Sequence, residues 1–154
     1  MITDNSQAIM SSLFSKQCDY AIQALLYLAL KPPGTMTSIK DLTGALKLPY
    51  HFVAKILQRL TRKGLVASLK GPTGGFTLGP PAEKITLLEV VDAVDGTVSL
   101  DSCLLGFAEC TSNHPCGAHK EWQKVRTSTK SLLANQTIAE MAGKTRKPQY
   151  NAVR

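Results

Sequence analysis

The sequence predicts a mainly α-helical fold with one small β-hairpin. Apolar residues recur at helical spacing in several segments, and capping residues, Pro or Gly stand at the ends of these segments. After Gly64 the period changes to short strand-like runs around a glycine-rich turn. The 154 residues are 44% hydrophobic and 19% charged, which is typical of one globular domain that buries a core.

Three helices are expected in the first part of the chain. Residues 13–30 place apolar side chains at helical spacing and stop at a Pro-Pro-Gly sequence. A Ser-x-x-Asp capping pattern that starts at Ser38 opens a second helix, which runs through about Leu46. Pro49 stands at the start of a third helix, and Gly64 ends it in a left-handed cap. The predicted buried face of this third helix consists of Phe52, Val53, Ile56, Leu57 and Leu60.

A hairpin and two more helical segments follow. Residues 65–69 and 76–78 are strand-like and enclose the glycine-rich turn. Residues 86–94 form a further amphipathic helix, and a long helix begins at His119 and contains a break near Asn135. Three helices followed by a hairpin is the order of a winged helix-turn-helix domain.

Basic residues are concentrated in one part of the chain. Residues 31–72 contain eight basic residues and one acid, so their net charge of +7 equals that of the whole chain. Residues 83–121 carry a net charge of −5, and residues 143–154 add four basic residues. A basic block followed by an acidic block indicates a polyanion-binding face, although a solvated surface could show the same charges.

The third helix and the hairpin, together with Lys40 of the second helix, carry the side chains that we expect to bind a double-stranded DNA operator. A glycine-rich turn lets the backbone approach a partner closely, although a plain hairpin turn would use the same residues. Phosphate contacts are expected from Lys40, Lys55, Arg62 and Lys70. Contacts to base edges or to neighbouring backbone are expected from Tyr50, His51, Gln58 and Arg59. The tip of the hairpin adds Gly71, Thr73 and Gly74.

Three cysteines lie together in a loop that also contains Gly and Pro. Cys103, Cys110 and Cys116 are separated by six and five residues, and His119 follows the last of them. Such a loop has no regular face on which to bury thiols, and its long gaps suit an iron–sulfur cluster that needs several converging thiolates. Zinc and a thiol–disulfide sensor are the alternatives, although the paired Cys-x-x-Cys spacing of structural zinc sites is absent. Cys18, on the apolar first helix, is expected to be a packing residue.

Enzyme signatures are absent from the sequence, so we expect no enzyme. There is no Gly-x-Ser-x-Gly, no His-Glu-x-x-His and no dinucleotide-binding Gly-x-Gly-x-x-Gly motif after a strand. No stretch approaches the ~18 consecutive apolar residues of a membrane span. The first twelve residues lack the positive start of a secretory signal. We therefore expect a cytoplasmic protein with no membrane partner.

Several segments together carry a resemblance to a known family. They are Asp19 to Leu25, Pro49 to Leu60, Gly64 to Val66, Ser68 to Phe76, Ile85 to Leu87, and the three cysteines with Cys116-x2-His119-x2-Trp122. Over about residues 13–142 the chain resembles the winged-helix iron–sulfur transcription regulators of the IscR and NsrR type.

The resemblance implies a homodimer with an iron–sulfur cluster, 2Fe–2S or 4Fe–4S, near the dimer interface. The long C-terminal helix would form the dimer contact. Cys103, Cys110 and Cys116 stand at the three cluster cysteines of the family. The fourth ligand that the resemblance implies is His119, as in the cluster-biogenesis branch, or Asp19 of the partner subunit, as in the nitric-oxide-sensing branch.

The predicted function is that of a DNA-binding transcription regulator, a repressor, whose operator binding is controlled by a cluster that senses nitric oxide, redox state or iron–sulfur status. The alternatives are a cluster-free or zinc-containing regulator that senses thiol redox state, and a metal or electron-transfer module that binds no DNA. Residues 13–82 would form the winged helix-turn-helix domain and residues 83–142 the cluster loop and dimerisation helices. Residues 1–12 would be a flexible extension and residues 143–154 a basic flexible tail.

Overall fold

A computed structural model describes residues 13–96 and 98–145 of the chain. The extension predicted over residues 1–12 and the predicted tail from residue 146 onward lie outside the described residues. Gly143 and Lys144 belong to the last helix, so the tail predicted from residue 143 begins too early.

The described part of the chain contains helices and one two-stranded antiparallel sheet, which confirms the predicted mainly α-helical fold with a hairpin. A 3₁₀ turn over Ala82–Lys84 joins the hairpin to the second half of the chain. The break near Asn135 is also confirmed, because one helix ends there and another begins three residues later. The elements are α1 Lys16–Ala29, α2 Ile39–Leu46, α3 Tyr50–Arg62, β1 Val66–Leu69, β2 Gly75–Leu78, α4 Leu87–Val94, α5 Val98–Asp101, α6 His119–Asn135 and α7 Ile138–Lys144.

Local capping sets several of the helix ends. The Ser38 side chain accepts a hydrogen bond from the backbone N–H of Asp41 at the start of α2, as the capping pattern predicts. Thr86 and Thr137 each form a complete capping box with a glutamate three residues later, at the starts of α4 and α7. Gly64 follows α3 with a φ of +77°, the left-handed conformation expected of it.

The core is built around α1, which packs against α3, α4 and α7. Val53, Ile56, Leu57 and Leu60 form the buried stripe of α3, as predicted. The prediction for Phe52 is wrong, since this side chain is 53% exposed. One residue corresponds to about 100° around a helix, so Phe52 lies outside the stripe that begins at Val53.

The wing, which is the hairpin of β1, β2 and the turn between them, makes one backbone pairing more than the predicted hairpin. In addition to the β1–β2 ladder, the backbone N–H of Thr37 donates to the Phe76 carbonyl over 2.9 Å, and the N–H of Phe76 donates back over 2.8 Å. The segment before α2 is therefore joined to the two-stranded sheet by a one-residue β-bridge. This contact fixes the wing directly to the helix-turn-helix.

Replacing Gly75 by Ala is expected to destabilise the protein by about 1–3 kcal/mol, as overpacking does in other interiors. Gly75 has a φ of +152°, and a Cβ there would lie 2.5 Å from the carbonyl oxygen of Thr37, which the bridge to Phe76 holds in place. Gly44→Ala is the matched control, because a Cβ at Gly44 meets nothing within 4 Å inside α2. Urea unfolding should show a lower midpoint for Gly75→Ala and an unchanged or higher one for Gly44→Ala. Equal midpoints for the two variants would contradict this account of the wing.

None of the described helices is both long enough and apolar enough to cross a membrane.

Candidate DNA-binding face and cysteine cluster

The side chains predicted to bind DNA lie at the surface. Lys40 on α2 is exposed, and so are the wing residues Lys70, Gly71 and Thr73, while Gly74 is half-buried. The first turn of α3 also presents an edge-to-face ring pair, with Tyr50 and His51 centroids 5.6 Å apart. The exposed residues of α3 in the predicted set are Tyr50, His51, Lys55, Gln58, Arg59 and Arg62.

The wing tip is a tight turn that the glycines allow. The backbone N–H of Gly74 donates to the carbonyl of Gly71 over 3.0 Å, and Gly71 has a φ of +109° that favours glycine. Lys70 is exposed and lies between the end of β1 and this turn. A narrow, exposed turn with an adjacent cation is suited to contact DNA backbone.

Arg59 has a partner inside the protein. Its Nη1 donates a 2.9 Å hydrogen bond to the backbone carbonyl of Val94, the last residue of α4. The sequence predicted a contact of Arg59 with DNA, and nothing in the local pattern of α3 indicated this long-range bond.

The three loop cysteines converge between α5 and α6. Their Sγ atoms all lie within 4.8 Å of one another, and those of Cys103 and Cys116 are 3.6 Å apart. Backbone turns close the segment at both ends, from Gly106 N–H to Cys103 carbonyl and from His119 N–H to Cys116 carbonyl, each over 3.1 Å. The convergence that the composition of the loop suggested is therefore present in the fold.

His119, the first residue of α6, lies beside this cysteine cluster. Its Nδ1 is 3.1 Å from the Sγ of Cys110, and its Nε2 is buried without a hydrogen-bond partner among the described residues. The sequence pattern placed His119 next to Cys116, whereas the fold brings it to Cys110. Asp19 lies in the first turn of α1.

The cysteine cluster shifts the pKa values of its own thiols. Desolvation raises the pKa of Cys103, but hydrogen bonds from the backbone of Phe107 and Leu105 and from the neighbouring thiols outweigh it and lower the pKa from 9.0 to about 7. A thiolate is thus available at Cys103 near neutral pH. The pKa of Cys110 is raised: a hydrogen bond from the Cys116 backbone lowers it, but desolvation and the neighbouring thiols outweigh that bond.

Cys18 is set apart from the cluster. It is fully buried in the core, and desolvation together with the nearby charges of Asp95 and Asp19 raises the pKa of its thiol to about 12. The prediction that Cys18 is a packing residue agrees with this burial, because a thiol that stays protonated is a poor ligand.

One face of α6 holds the start of the cysteine segment, a contact that the sequence did not predict. Trp122 donates its indole N–H to the carbonyl of Ser102 over 2.9 Å, and Arg126 donates to the carbonyl of Asp101 over 2.6 Å. Lys130 pairs with the Asp101 carboxylate. Trp122, Arg126 and Lys130 are spaced by four residues, which places them on one helix face. This spacing is the sequence pattern from which a shared contact could have been predicted.

The donor set fits an iron–sulfur cluster. Thiolates are the usual ligands of such clusters, and imidazole replaces thiolate in some of them. Cys103, Cys110 and Cys116 supply three sulfurs at one place, and the buried, partnerless Nε2 shows that the His119 ring is not committed to another contact on that side among the described residues. A set of three cysteines and one histidine also fits zinc.

Comparison with known proteins decides the family. Residues 14–144 match Rrf2, described as an iron-dependent transcriptional regulator family. The chain belongs to the Rrf2 family. It is 30% identical over 131 residues to an HTH-type transcriptional regulator of Aquifex aeolicus, covering 84% of this chain and 90% of that one. It is 32% identical over 122 residues to the HTH-type transcriptional regulator IscR of Yersinia pseudotuberculosis, covering 79% and 74%.

Solved structures of Rrf2-type regulators share the fold. CymR, the global cysteine regulator of Bacillus subtilis, superposes with a TM-score of 0.73 at 23% identity, over 89% of this chain and all of that one. The IscR of T. potens superposes with a TM-score of 0.70 at 22% identity, over 92% and 93%. These likenesses confirm the winged helix-turn-helix fold. The Rrf2 assignment confirms the resemblance to IscR-type regulators and makes this protein a DNA-binding transcriptional regulator rather than an enzyme.

Proposed function

We propose that this Rrf2 protein is a homodimeric, cytoplasmic regulator whose operator binding is controlled by an iron–sulfur cluster at Cys103, Cys110 and Cys116. The observation that carries the proposal is the convergence of three thiol sulfurs within 4.8 Å, with an imidazole nitrogen 3.1 Å from one of them. The 32% identity to a regulator named IscR supports the same assignment.

The DNA-binding part of the proposal rests on α3 and the wing. An exposed recognition helix in the major groove would place Tyr50, His51 and Gln58 near base edges. Phosphate contacts would come from Lys40, Lys55, Arg62 and Lys70, all of which are exposed. In a homodimer, two such helices would read half-sites about 34 Å apart.

The dimer contact is proposed for α6. Ala118, Trp122, Val125, Thr129 and Leu132 follow one another at alternating steps of four and three residues, which is the spacing of a helix–helix seam. Val125 is 50% exposed and Leu132 58%, so these two apolar side chains of the seam are open in the single chain, while Ala118, Trp122 and Thr129 are half-buried. A second copy of this chain would cover it.

The cluster would be held by the three cysteines together with His119 or Asp19 of the partner subunit. When bound, it would supply one-electron redox chemistry and a site at which nitric oxide or oxidants react. The chain's own residues transmit its presence: the cysteines fix the loop, and Trp122 and Arg126 fix the start of that loop to α6. Order in the loop would thus depend on whether the cluster is bound.

The test is anaerobic purification followed by absorption spectroscopy, iron and sulfide analysis, and titration of a duplex that the protein selects from random sequence. We expect a coloured protein with stoichiometric iron and sulfide, and an affinity that changes when the cluster is removed. A colourless protein that contains zinc, or equal affinities with and without the cluster, would contradict the proposal.

A second candidate is a cluster-free sensor of thiol redox state. It is favoured by the 3.6 Å between the sulfurs of Cys103 and Cys116 and by the pKa of about 7 for Cys103. Peroxide would oxidise the two thiols to a disulfide, with loss of two protons and two electrons and reduction of the peroxide to water. This candidate predicts DNA binding by iron-free protein, with peroxide and dithiothreitol changing the affinity in opposite directions.

The fourth ligand is tested by comparing His119→Ala with Asp19→Ala under anaerobic conditions. We expect His119→Ala to change the absorption spectrum and the electron paramagnetic resonance of the reduced cluster, because the imidazole Nδ1 lies 3.1 Å from the Sγ of Cys110. Asp19→Ala should leave both spectra as they are. The reverse result would make Asp19 of the partner subunit the ligand and favour the nitric-oxide-sensing type.

A further inference from the structure

We propose that Arg59 is a positioning residue that joins the recognition helix to the segment carrying the cysteines, rather than a residue that reads DNA. The inference rests on the proposed control of DNA binding by the cysteine cluster. The link between α3 and the cysteine segment would consist of the Arg59 guanidinium and the C-terminal end of α4.

The first support is the place at which Arg59 bonds. Its Nη1 donates over 2.9 Å to the carbonyl of Val94, the last residue of α4. The final carbonyls of a helix have no partner within the helix and form the negative end of its dipole. A cation there is bound by both a hydrogen bond and the helix field, so the exposed Arg59 side chain is tied at its Nη1 to the end of α4.

The second support is that the residue after Val94 is anchored as well. Asp95 accepts from the backbone N–H of Ser15 over 2.8 Å and from the Ser15 hydroxyl. The same Ser15 oxygen caps α1 by accepting from the N–H of Cys18 over 3.1 Å. The end of α4 is therefore bonded to α3 on one side and to the start of α1 on the other.

The third support is that α6 contacts both α4 and the start of the cysteine segment. Cys103 follows Val94 by nine residues, and Asp101 and Ser102 just before it are held by Arg126 and Trp122 of α6. α4 itself packs against α6. A change in the order of the cysteine segment thus reaches α4 through α6, and Arg59 carries it to α3.

The test is a cycle of affinities for a duplex selected by the wild-type protein. The ratio of affinities of the cluster-loaded protein and of the Cys103→Ser variant is measured in the wild-type, Arg59→Gln and Arg62→Gln backgrounds. We expect Arg59→Gln to bring this ratio about 3- to 10-fold closer to one, in the range of measured coupling between linked sites. Arg62→Gln should lower both affinities and leave their ratio unchanged.

Arg59→Lys keeps the positive charge and an N–H donor group, so it should restore part of the ratio. If Arg59→Gln lowers both affinities equally, as removal of a DNA-binding side chain would, the proposal is overturned. A lower melting temperature with an unchanged ratio would show a purely structural role and would also overturn it.

Hydrogen exchange separates this inference from the proposed function. We expect faster exchange of the amides around Val94 and Gly96 in Arg59→Gln than in Arg62→Gln, with or without bound DNA. If the cluster-loaded wild-type protein and its Cys103→Ser variant bind the duplex equally, the proposed control of DNA binding by the cysteine cluster is wrong. Faster exchange in Arg59→Gln alone would even then show that Arg59 joins α3 to the end of α4. Equal exchange in the two variants would remove Arg59 from this link.

Discussion

Replacing Cys103, Cys110 or Cys116 by Ala is expected to abolish the visible absorption and the bound iron of the anaerobically purified protein. Each of these cysteines supplies one of three sulfurs that lie within 4.8 Å of one another, so each substitution leaves the cluster without a full set of thiolates. Cys18→Ala is the matched control. Its thiol is fully buried in the core, and the variant should lose stability while keeping colour and iron.

The outcome is read from absorption spectra and from iron and sulfide content per chain. Circular dichroism shows that each variant is folded, which separates loss of a ligand from loss of the fold. A coloured Cys110→Ala protein with full iron content would overturn the assignment of this site. Loss of colour in Cys18→Ala, with the helical signal intact, would place a ligand in α1 instead.

The helices of this protein were largely predictable because their ends are set by nearby residues. Ser38 caps the helix that its pattern predicts, and Gly64 takes the left-handed conformation that its position implies. The convergence of the cysteines was predictable for another reason. A loop without a regular face cannot bury three thiols in the core, so the cysteines are expected to act together as ligands or redox partners.

Features that depend on distant parts of the chain could not be read from local patterns. Thr37 pairs with Phe76 as a single residue, and a single residue shows no alternation of apolar and polar positions from which a strand could be predicted. The bond from Arg59 to Val94 spans 35 positions, and α3 alone gives no reason to expect it. Phe52 was misplaced because an apolar residue next to an amphipathic stripe looks like part of it.

The difference between local patterns and long-range contacts also affects which basic residues are expected to bind DNA. Charge counting treats every Lys and Arg of residues 31–72 alike, whereas the structure gives Arg59 an internal partner and leaves Arg62 and Lys70 exposed. The hydrogen-bond partner of Arg59 therefore refines the set of candidate DNA contacts.

Replacing Arg62 and Lys70 together by Ala is expected to flatten the salt dependence of operator binding by about two units, roughly one for each phosphate that is no longer neutralised. Both side chains are exposed, one at the end of the recognition helix and one beside the wing tip, where DNA backbone would pass. The measurement is the affinity for the selected duplex across a salt titration, plotted as the logarithm of the binding constant against the logarithm of salt concentration. The single variants should each show about half of the effect, because side chains that bind separate phosphates release separate counterions.

Lys84→Ala is the control for removal of charge alone. Lys84 is an exposed lysine in the 3₁₀ turn after the hairpin, outside the proposed DNA-binding face. Its removal lowers the net charge of the protein by the same amount as either single variant, so a general field effect would change all three slopes alike. A local phosphate contact changes the slope only for Arg62 and Lys70. An unchanged slope for the double variant would remove the DNA-binding face from α3 and the wing, since one of these two cations belongs to each element.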